Sequence, residues 1–180
     1  PDALGPRVAD NMMITRHVIR EFGKYALGAE HSNLISSIVP GVMAQTGMES
    51  LEIIRGVIRE TEPDCIVAVD ALAARSVKRL NRTIQITNTG INPGSGVGNH
   101  RHGLNRESVG IPVIAIGVPT VVDAATIVND AISGYYEEVD CTLNSFFVTP
   151  KDIDESIKRL SFTISEGLNL AFEKTACTNS

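Results

Sequence analysis

The run Ile66 to Val69 constrains the fold more than any other stretch of the chain. It is uncharged and largely β-branched, and it follows a helix stop at Glu62-Pro63. Such a run is typical of a strand that is buried on both faces of a parallel sheet. Asp70 comes directly after it, at the predicted carboxyl end of the strand, where ligands bind in open α/β sheets. The spacing alone is equally compatible with a capping role and with a catalytic role for Asp70.

Strands and helices are predicted to alternate on both sides of this run. Residues 35–39 form a second candidate strand, and a capping box at Thr46 and Glu49 begins the helix between the two strands. This order favours a βαβ crossover with parallel neighbours. After Asp70, the pattern predicts a helix over residues 71–80 and an exposed or edge strand over residues 83–87.

Two more acids stand beside predicted helices. Asp2 lies in the turn before the first helix. Asp123 follows the candidate strand over residues 111–117, three residues after Thr120, and precedes a helix over residues 124–132. Taken alone, Asp2 and Asp123 favour capping over catalysis.

Both ends of the chain predict amphipathic helices. The first has apolar positions at helical spacing from Val8 to Ile19. The last is predicted to begin with Thr149 as its N-cap and Pro150 in its first turn. Its apolar stripe comprises Ile153, Ile157, Leu160, Ile164, Leu168 and Phe172.

A glycine-rich segment over residues 90–102 predicts a long loop. Its backbone N–H groups could cradle an anion, but it has neither the P-loop pattern nor the dinucleotide-binding fingerprint. A loop that closes over an active site or packs on a neighbouring subunit fits it better. His100 and His102 form an i, i+2 pair without a third ligand nearby, which favours solvated histidines over a metal site.

The bulk properties exclude several classes of function. A net charge of −5 argues against binding to nucleic acid or to an anionic membrane. The three cysteines have no paired or metal-type spacing and predict reduced thiols in a cytoplasmic protein. The length of 180 residues suits one domain, and a first residue of proline indicates that the sequence begins inside a longer protein.

Several stretches match motifs of one peptidase family. They are Pro1-Asp2-Ala3-Leu4-Gly5-Pro6, Thr15-Arg16-His17, Pro40-Gly41-Val42-Met43 with Thr46-Gly47, Asp70-Ala71-Leu72-Ala73-Ala74-Arg75-Ser76, Asn92-Pro93-Gly94-Ser95-Gly96-Val97-Gly98-Asn99, Gly110 to Ala124, and Val148-Thr149-Pro150-Lys151. On these motifs, which cover most of the chain, the sequence resembles the germination proteases of spore-forming bacteria. That family is related in fold to the hydrogenase-maturation peptidases.

The resemblance implies a fold and an activity. The fold is α/β, a three-layer α/β/α arrangement of the phosphorylase/hydrolase-like kind with a mostly parallel central sheet. Residues 1–180 would form a single peptidase domain that lacks the family's N-terminal strand and propeptide. The implied activity is that of a tetrameric endopeptidase, made as a zymogen, which degrades small acid-soluble spore proteins in the spore core during germination without a cofactor.

The family's two essential aspartates carry over to Asp2 and Asp70. Peptide hydrolysis without a covalent intermediate needs a base that activates water and an acid that protonates the leaving nitrogen. Two carboxyl groups held close together can supply both, because one of them keeps a proton. Residues of the glycine-rich loop are expected to shape the substrate site, namely Gly94, Gly96, Gly98, Asn99 and Arg101.

The chain departs from the family pattern at three places. Asn88 stands where the family usually has the aspartate of Asp-Thr-Gly, and Asn92 stands where it has histidine. The connection over residues 134–144 is shorter than the family's usual insertion. Two alternatives stay open: a maturation-type endopeptidase in which Asp2, Asp70 and a histidine bind a transition metal, and a non-catalytic fragment that binds peptides or assembles with copies of itself.

Overall fold

Four helices precede the first strand in the computed structural model, which describes residues 3–28, 33–41, 43–92, 102–133 and 146–173. The helices are α1 (Leu4–Asn11), α2 (Arg16–Phe22), α3 (Met43–Thr46), α4 (Ser50–Thr61), α5 (Arg106–Val109), α6 (Ala124–Ile132) and α7 (Ile153–Phe172). The strands are β1 (Ile66–Ala74), β2 (Gln85–Thr87), β3 (Val113–Asp123) and β4 (Phe147–Val148), and a 3₁₀ helix covers Val77–Arg79. Among the described helices, none is both long enough and apolar enough to cross a bilayer.

The chain divides into two compact units. The first comprises residues 1–4 and 40–157 and contains the four strands found among the described residues, and the second comprises residues 5–39 and 158–180. In the second unit, the buried hydroxyl of Thr15 donates to the carbonyl of Asn33 and accepts the N–H of Ile35. These bonds hold the start of α2 against residues 33–35.

The sheet confirms the α/β class. Its strand order is β1-β3-β2, and β4 also pairs with β3. β1 and β3 run parallel along the whole of β1, whereas β2 and β4 add short antiparallel pairings. The sheet formed by the described strands is therefore mixed around one long parallel pair. The arrangement of the helices in three layers stays a prediction.

One face of the sheet carries a hydrophobic core. Its buried members are Leu51 of α4, Val113 of β3 and Leu104, which precedes α5. Ile66 and Ala68 of β1 pack against them. Successive side chains alternate between the faces of a strand, so Ile66 and Ala68 reach the same face. The apolar positions of α4 recur at helical spacing, which lets this helix cover that face.

The parallel pair contains one bulge. Leu72 lies opposite Pro119, but Ala73 lies opposite Val121, so β3 carries Thr120 as an additional residue. The predicted helix over residues 71–80 is wrong, because β1 continues to Ala74. Alanine favours helices intrinsically, but pairing with β3 overrides this small preference.

Three other local predictions are wrong. Residues 35–39 form no strand, and the carbonyl of Ile35 instead accepts the N–H groups of Thr15 and Arg16. The predicted first helix is divided in two at Thr15, whose hydroxyl accepts the N–H of Ile35. The N-cap of α4 is Glu49, which forms its capping box with Glu52, and Thr46 instead ends α3.

The predictions near the C-terminus are largely confirmed. α6 has the predicted bounds, and Ile157 and Ile164 of the apolar stripe are buried along α7. β2 is an exposed strand, as expected for residues 83–87. Thr149 is not a helix cap, however, because α7 begins only at Ile153, and the Thr149 hydroxyl donates instead to the carbonyl of Thr120 at 2.9 Å.

Candidate active site

Asp70 lies in the middle of β1 rather than at its end. It stands opposite Gly117 of β3 and is half-buried. Its Oδ1 accepts the N–H of Ala71 at 2.9 Å. A role as a helix N-cap is excluded, because the chain continues from Asp70 as a strand through Ala74. The catalytic role of Asp70 stays a prediction.

Gly117 gives Leu72 the space that it occupies. A Cβ atom added to Gly117 would collide with the Leu72 side chain. Asp70 and Leu72 are two residues apart in β1 and therefore project from the same face. Gly117 thus lets the Leu72 side chain lie directly over the backbone of β3.

A cavity of about 200 Å³ opens on the same face of the sheet. Its floor consists of Leu72, Ala115 and Gly117, and the residues around it are Gln85, Thr87, Gly90, Ile91 and Asn92. In the register of β2 with β3, Gln85 lies opposite Gly117 and Thr87 opposite Ala115. Gly117, which pairs with Asp70 across β1 and β3, therefore lines the edge of the cavity nearest to Asp70.

The sequence alone does not mark the residues of this cavity as a site. Gln85 and Thr87 lie in one predicted strand, and Ala115 and Gly117 lie in another, so alternation places each pair on one face. The local sequence does not predict that these two strands pair, however. Without that pairing, nothing in the sequence brings Gln85 next to Gly117.

The ends of the glycine-rich segment meet beside the cavity. Ile91 and Leu104 exchange two backbone hydrogen bonds, of 2.9 and 2.8 Å. Gly90 has a φ of +88°, and an added Cβ atom there would collide with the backbone of Leu104 and Asn105. A glycine is required at this position both for its conformation and for the close approach. Because Ile91 and Asn92 line the cavity, the segment starts from the cavity wall.

Most of the predicted site residues lie outside the described residues. These are Asp2 and the loop residues Gly94, Gly96, Gly98, Asn99 and Arg101. The pairing of Asp2 with Asp70 therefore stays a prediction, and so does the role of the loop residues. His100 lies outside the described residues as well. His102 is described, and its Nδ1 lies 3.0 Å from Oε2 of Glu49, the N-cap of α4.

Asp123 has the structural role predicted for it. Its Oδ1 accepts the N–H of Thr126 and its Oδ2 accepts the hydroxyl of Thr126, both at 2.7 Å. Burial acts to raise the pKa of Asp123, but these hydrogen bonds outweigh it and hold the pKa below the usual value of 3.8. Asp123 is therefore the N-cap of α6.

The acids and histidines of the described ranges do not assemble into a ready metal site. In residues 3–28, 33–41, 43–92, 102–133 and 146–173, no three His, Cys, Asp or Glu side chains are grouped so that they could hold a metal ion. Within the described residues, the candidate site consists of the half-buried carboxylate of Asp70 and the neighbouring cavity, whose lining residues are uncharged.

Comparison with known proteins identifies the family. The family model described as germination protease matches residues 1–139. This chain belongs to the germination protease family. Among curated relatives, the germination protease of Caldanaerobacter subterraneus subsp. tengcongensis is 43% identical over 203 residues, covering 96% of this chain and 62% of that protein. The germination protease of Bacillus velezensis is 56% identical over 132 residues, covering 73% of this chain and 35% of that protein.

The relatives are longer than this chain. A germination protease of Clostridium perfringens is 41% identical, with 96% of this chain and 62% of the relative covered. This chain thus spans less than two thirds of the length of these relatives. The alignment of 203 residues exceeds the 180 residues of the chain, so the relatives carry residues without a counterpart here. The family match ends at residue 139, within the connection over residues 134–144 that the sequence predicts to be shortened.

Proposed function

We propose that this chain is the peptidase part of an endopeptidase that degrades small acid-soluble spore proteins during germination. In this proposal, Asp2 and Asp70 activate the hydrolytic water together. Membership of the germination protease family supports the class of reaction. The position of Asp70, half-buried in the middle of β1 and opposite the glycine where the cavity begins, is the observation that carries the proposal.

The chemistry requires two carboxyl groups in different protonation states. The ionised group takes a proton from water as the water oxygen attacks the carbonyl carbon of the peptide bond. The protonated group then gives its proton to the nitrogen as the C–N bond breaks. Each such proton transfer contributes about 10²- to 10⁴-fold to the rate. Asp2 and Asp70 would titrate as a pair, so neither has a fixed role as acid or base.

The proposal extends to the assembly and place of action. The protein is made as a zymogen, acts as a tetramer and meets its substrates in the spore core. No metal or other cofactor takes part in the proposed reaction. The relatives' printed names, which identify them as germination proteases, support the part of this proposal that places the activity in germination.

The test compares carboxylate variants in the full-length protein that contains this sequence. Asp2→Asn and Asp70→Asn are each expected to lower kcat by at least about 100-fold on a small acid-soluble spore protein, because each removes one proton-transfer group. Asp64→Asn is the matched control, since Asp64 is an exposed acid just before β1. Cleavage at the parent rate by both Asp2→Asn and Asp70→Asn would refute the carboxylate mechanism.

Two further measurements separate the alternatives. Incubation with a chelator is expected to leave cleavage unchanged. Loss of activity that nickel or zinc restores would favour the metal-dependent alternative. A parent protein that binds the spore protein in a pull-down but never cleaves it would favour the non-catalytic alternative.

A further inference from the structure

We propose that the cavity between β1, β2 and the segment Gly90–Asn92 is the subsite that receives one uncharged substrate side chain next to the cleaved bond. This inference rests on the proposed function, since it assigns a specificity pocket to the same site. The cavity residues that this inference uses are Leu72, Gln85, Thr87 and Ala115, of which Gln85 and Thr87 lie outside the motifs shared with the family.

Position connects the cavity to the proposed chemistry. Gly117 forms part of the cavity floor and lies opposite Asp70 in the register of β1 and β3. Neighbouring strands are about 4.8 Å apart, so the floor begins one strand spacing from the Asp70 backbone. The first side-chain carbon of a residue that flanks a peptide bond lies within a similar distance of that bond. A peptide positioned for attack at Asp70 can therefore place an adjacent side chain in the cavity.

The size of the cavity suits a single side chain. Whole-ligand pockets usually have volumes of about 300–1,000 Å³, whereas an apolar cavity of about 150 Å³ holds a benzene molecule. The volume of about 200 Å³ is thus sufficient for a phenyl ring or a branched aliphatic group but small for a longer segment. Leu72 cannot be displaced toward β3, because it already lies over Gly117.

The chemistry of the walls selects an uncharged group. The floor is apolar and, within the part of the chain that the structure describes, every residue lining the cavity is uncharged. A lysine or glutamate side chain would lose its hydration there without gaining an ion partner. Gln85, Thr87 and Asn92 surround the floor with amide and hydroxyl groups, which suit the peptide groups of an extended substrate.

The test measures selectivity in the full-length protein. The bond that the parent cleaves in a small acid-soluble spore protein is first located by mass spectrometry. Each residue flanking that bond is then replaced in turn by alanine, leucine, phenylalanine or lysine. The parent is expected to prefer leucine or phenylalanine over lysine at one flanking position by at least about tenfold in kcat/KM.

Two variants reduce the cavity from different sides. Ala115→Val adds methyl groups to the floor, and Thr87→Leu adds bulk from an exposed edge strand but removes the hydrogen bonds between the Thr87 hydroxyl and Thr89. At the selective position, both are expected to lower kcat/KM for phenylalanine at least about tenfold relative to alanine. Ile114→Val is the matched control, because Ile114 is adjacent in β3 but projects from the opposite face. It should keep the parent's preference.

The outcomes distinguish the two proposals. If the parent cleaves, Asp70→Asn does not, and Thr87→Leu and a folded Ala115→Val both keep the parent's preference, the subsite is refuted while the proposed function stands. A parent preference for lysine would also refute the subsite. A parent that cleaves no spore protein would overturn both proposals. Thermal unfolding of each variant shows that its fold is retained, and if Ala115→Val does not fold, Thr87→Leu decides alone.

Discussion

Two aspartates show how similar local sequence leads to different roles. Asp70 and Asp123 both follow apolar runs rich in β-branched residues. Asp123 ends its strand, so its carboxylate is free to accept two bonds from Thr126 at the start of α6. Asp70 is followed by four more residues of strand and stays within the sheet. The difference arises from where each strand ends, which the residues immediately around the two acids do not determine.

The Asp123 cap predicts a pH-dependent contribution to stability. Because the pKa of Asp123 is lowered in the folded state, its stabilising contribution is fully present above the ordinary value of 3.8. It is lost as the pH falls through the lowered folded pKa. We expect Asp123→Ala to reduce the free energy of unfolding by about 1 kcal/mol at pH 7. Urea unfolding at pH 7 and near pH 3 measures both effects.

Asp123→Asn is the matched variant for this prediction. Its amide oxygen can still accept the N–H of Thr126, but it does not titrate. The stability difference between the parent and Asp123→Asn should therefore shrink as the pH falls below 3.8. A difference that stays constant from pH 7 to pH 3 would show that the carboxylate contributes nothing through its charge.

Two buried threonines make a second matched comparison. Thr15 and Thr120 are 1% and 0% exposed. The Thr15 hydroxyl bonds to the backbone of Asn33 and Ile35, whereas the Thr120 hydroxyl has no hydrogen-bond partner among the described residues. Thr15→Val should therefore lower the free energy of unfolding by about 1–3 kcal/mol, while Thr120→Val should raise it by about 1 kcal/mol.

Denaturant unfolding of the two valine variants checks this comparison. The same atoms are exchanged in both, so the opposite signs would arise from hydrogen bonding rather than from volume. Equal losses in both variants would contradict the prediction and show that the Thr120 hydroxyl is bonded in solution.

At the scale of the elements, β3 organises the sheet. It pairs with β1, β2 and β4, and nearly all of its residues from Val113 to Val122 are buried or half-buried. β2, by contrast, is three residues long and exposed throughout. Among the described strands it has a single neighbour, β3. Short edge strands of this kind limit unwanted pairing with other chains.

This contrast predicts an order of amide hydrogen exchange. Amides of β3 should exchange most slowly among the strands, because their bonds break only in larger openings of the unit that holds the sheet. The amides of β2 should exchange at least about tenfold faster, since a short exposed edge opens locally. Exchange followed by mass spectrometry or NMR at neutral pH measures the order. Equal protection of the two strands would contradict this hierarchy.

At the scale of the whole molecule, the chain is a part of what its relatives contain. It covers 62% of the Caldanaerobacter protein, and the alignment is longer than the chain itself. Each compact unit nevertheless has stabilising contacts of its own. The unit that holds the sheet contains the hydrophobic core around Leu51, and the other unit contains the hydrogen bonds of Thr15. The proposed site draws its described residues from the unit that holds the sheet.

The sequence by itself determined the features that depend on short-range signals. It identified the α/β class, the bounds of α6, the structural role of Asp123, the apolar stripe of α7 and the family. Helical periodicity acts between residues a few positions apart, so it can be recognised without a structure, whereas the caps predicted at Thr46 and Thr149 are wrong.

Only the tertiary structure decided the length of β1, the bulge at Thr120 and the cavity beside Asp70. Leu72, Gln85 and Ala115 line the same space although they come from three strands of the chain. Their proximity depends on strand pairing and register, and a shift of one residue would turn each side chain to the other face. That information resides in long-range contacts, which the local patterns of the sequence do not specify.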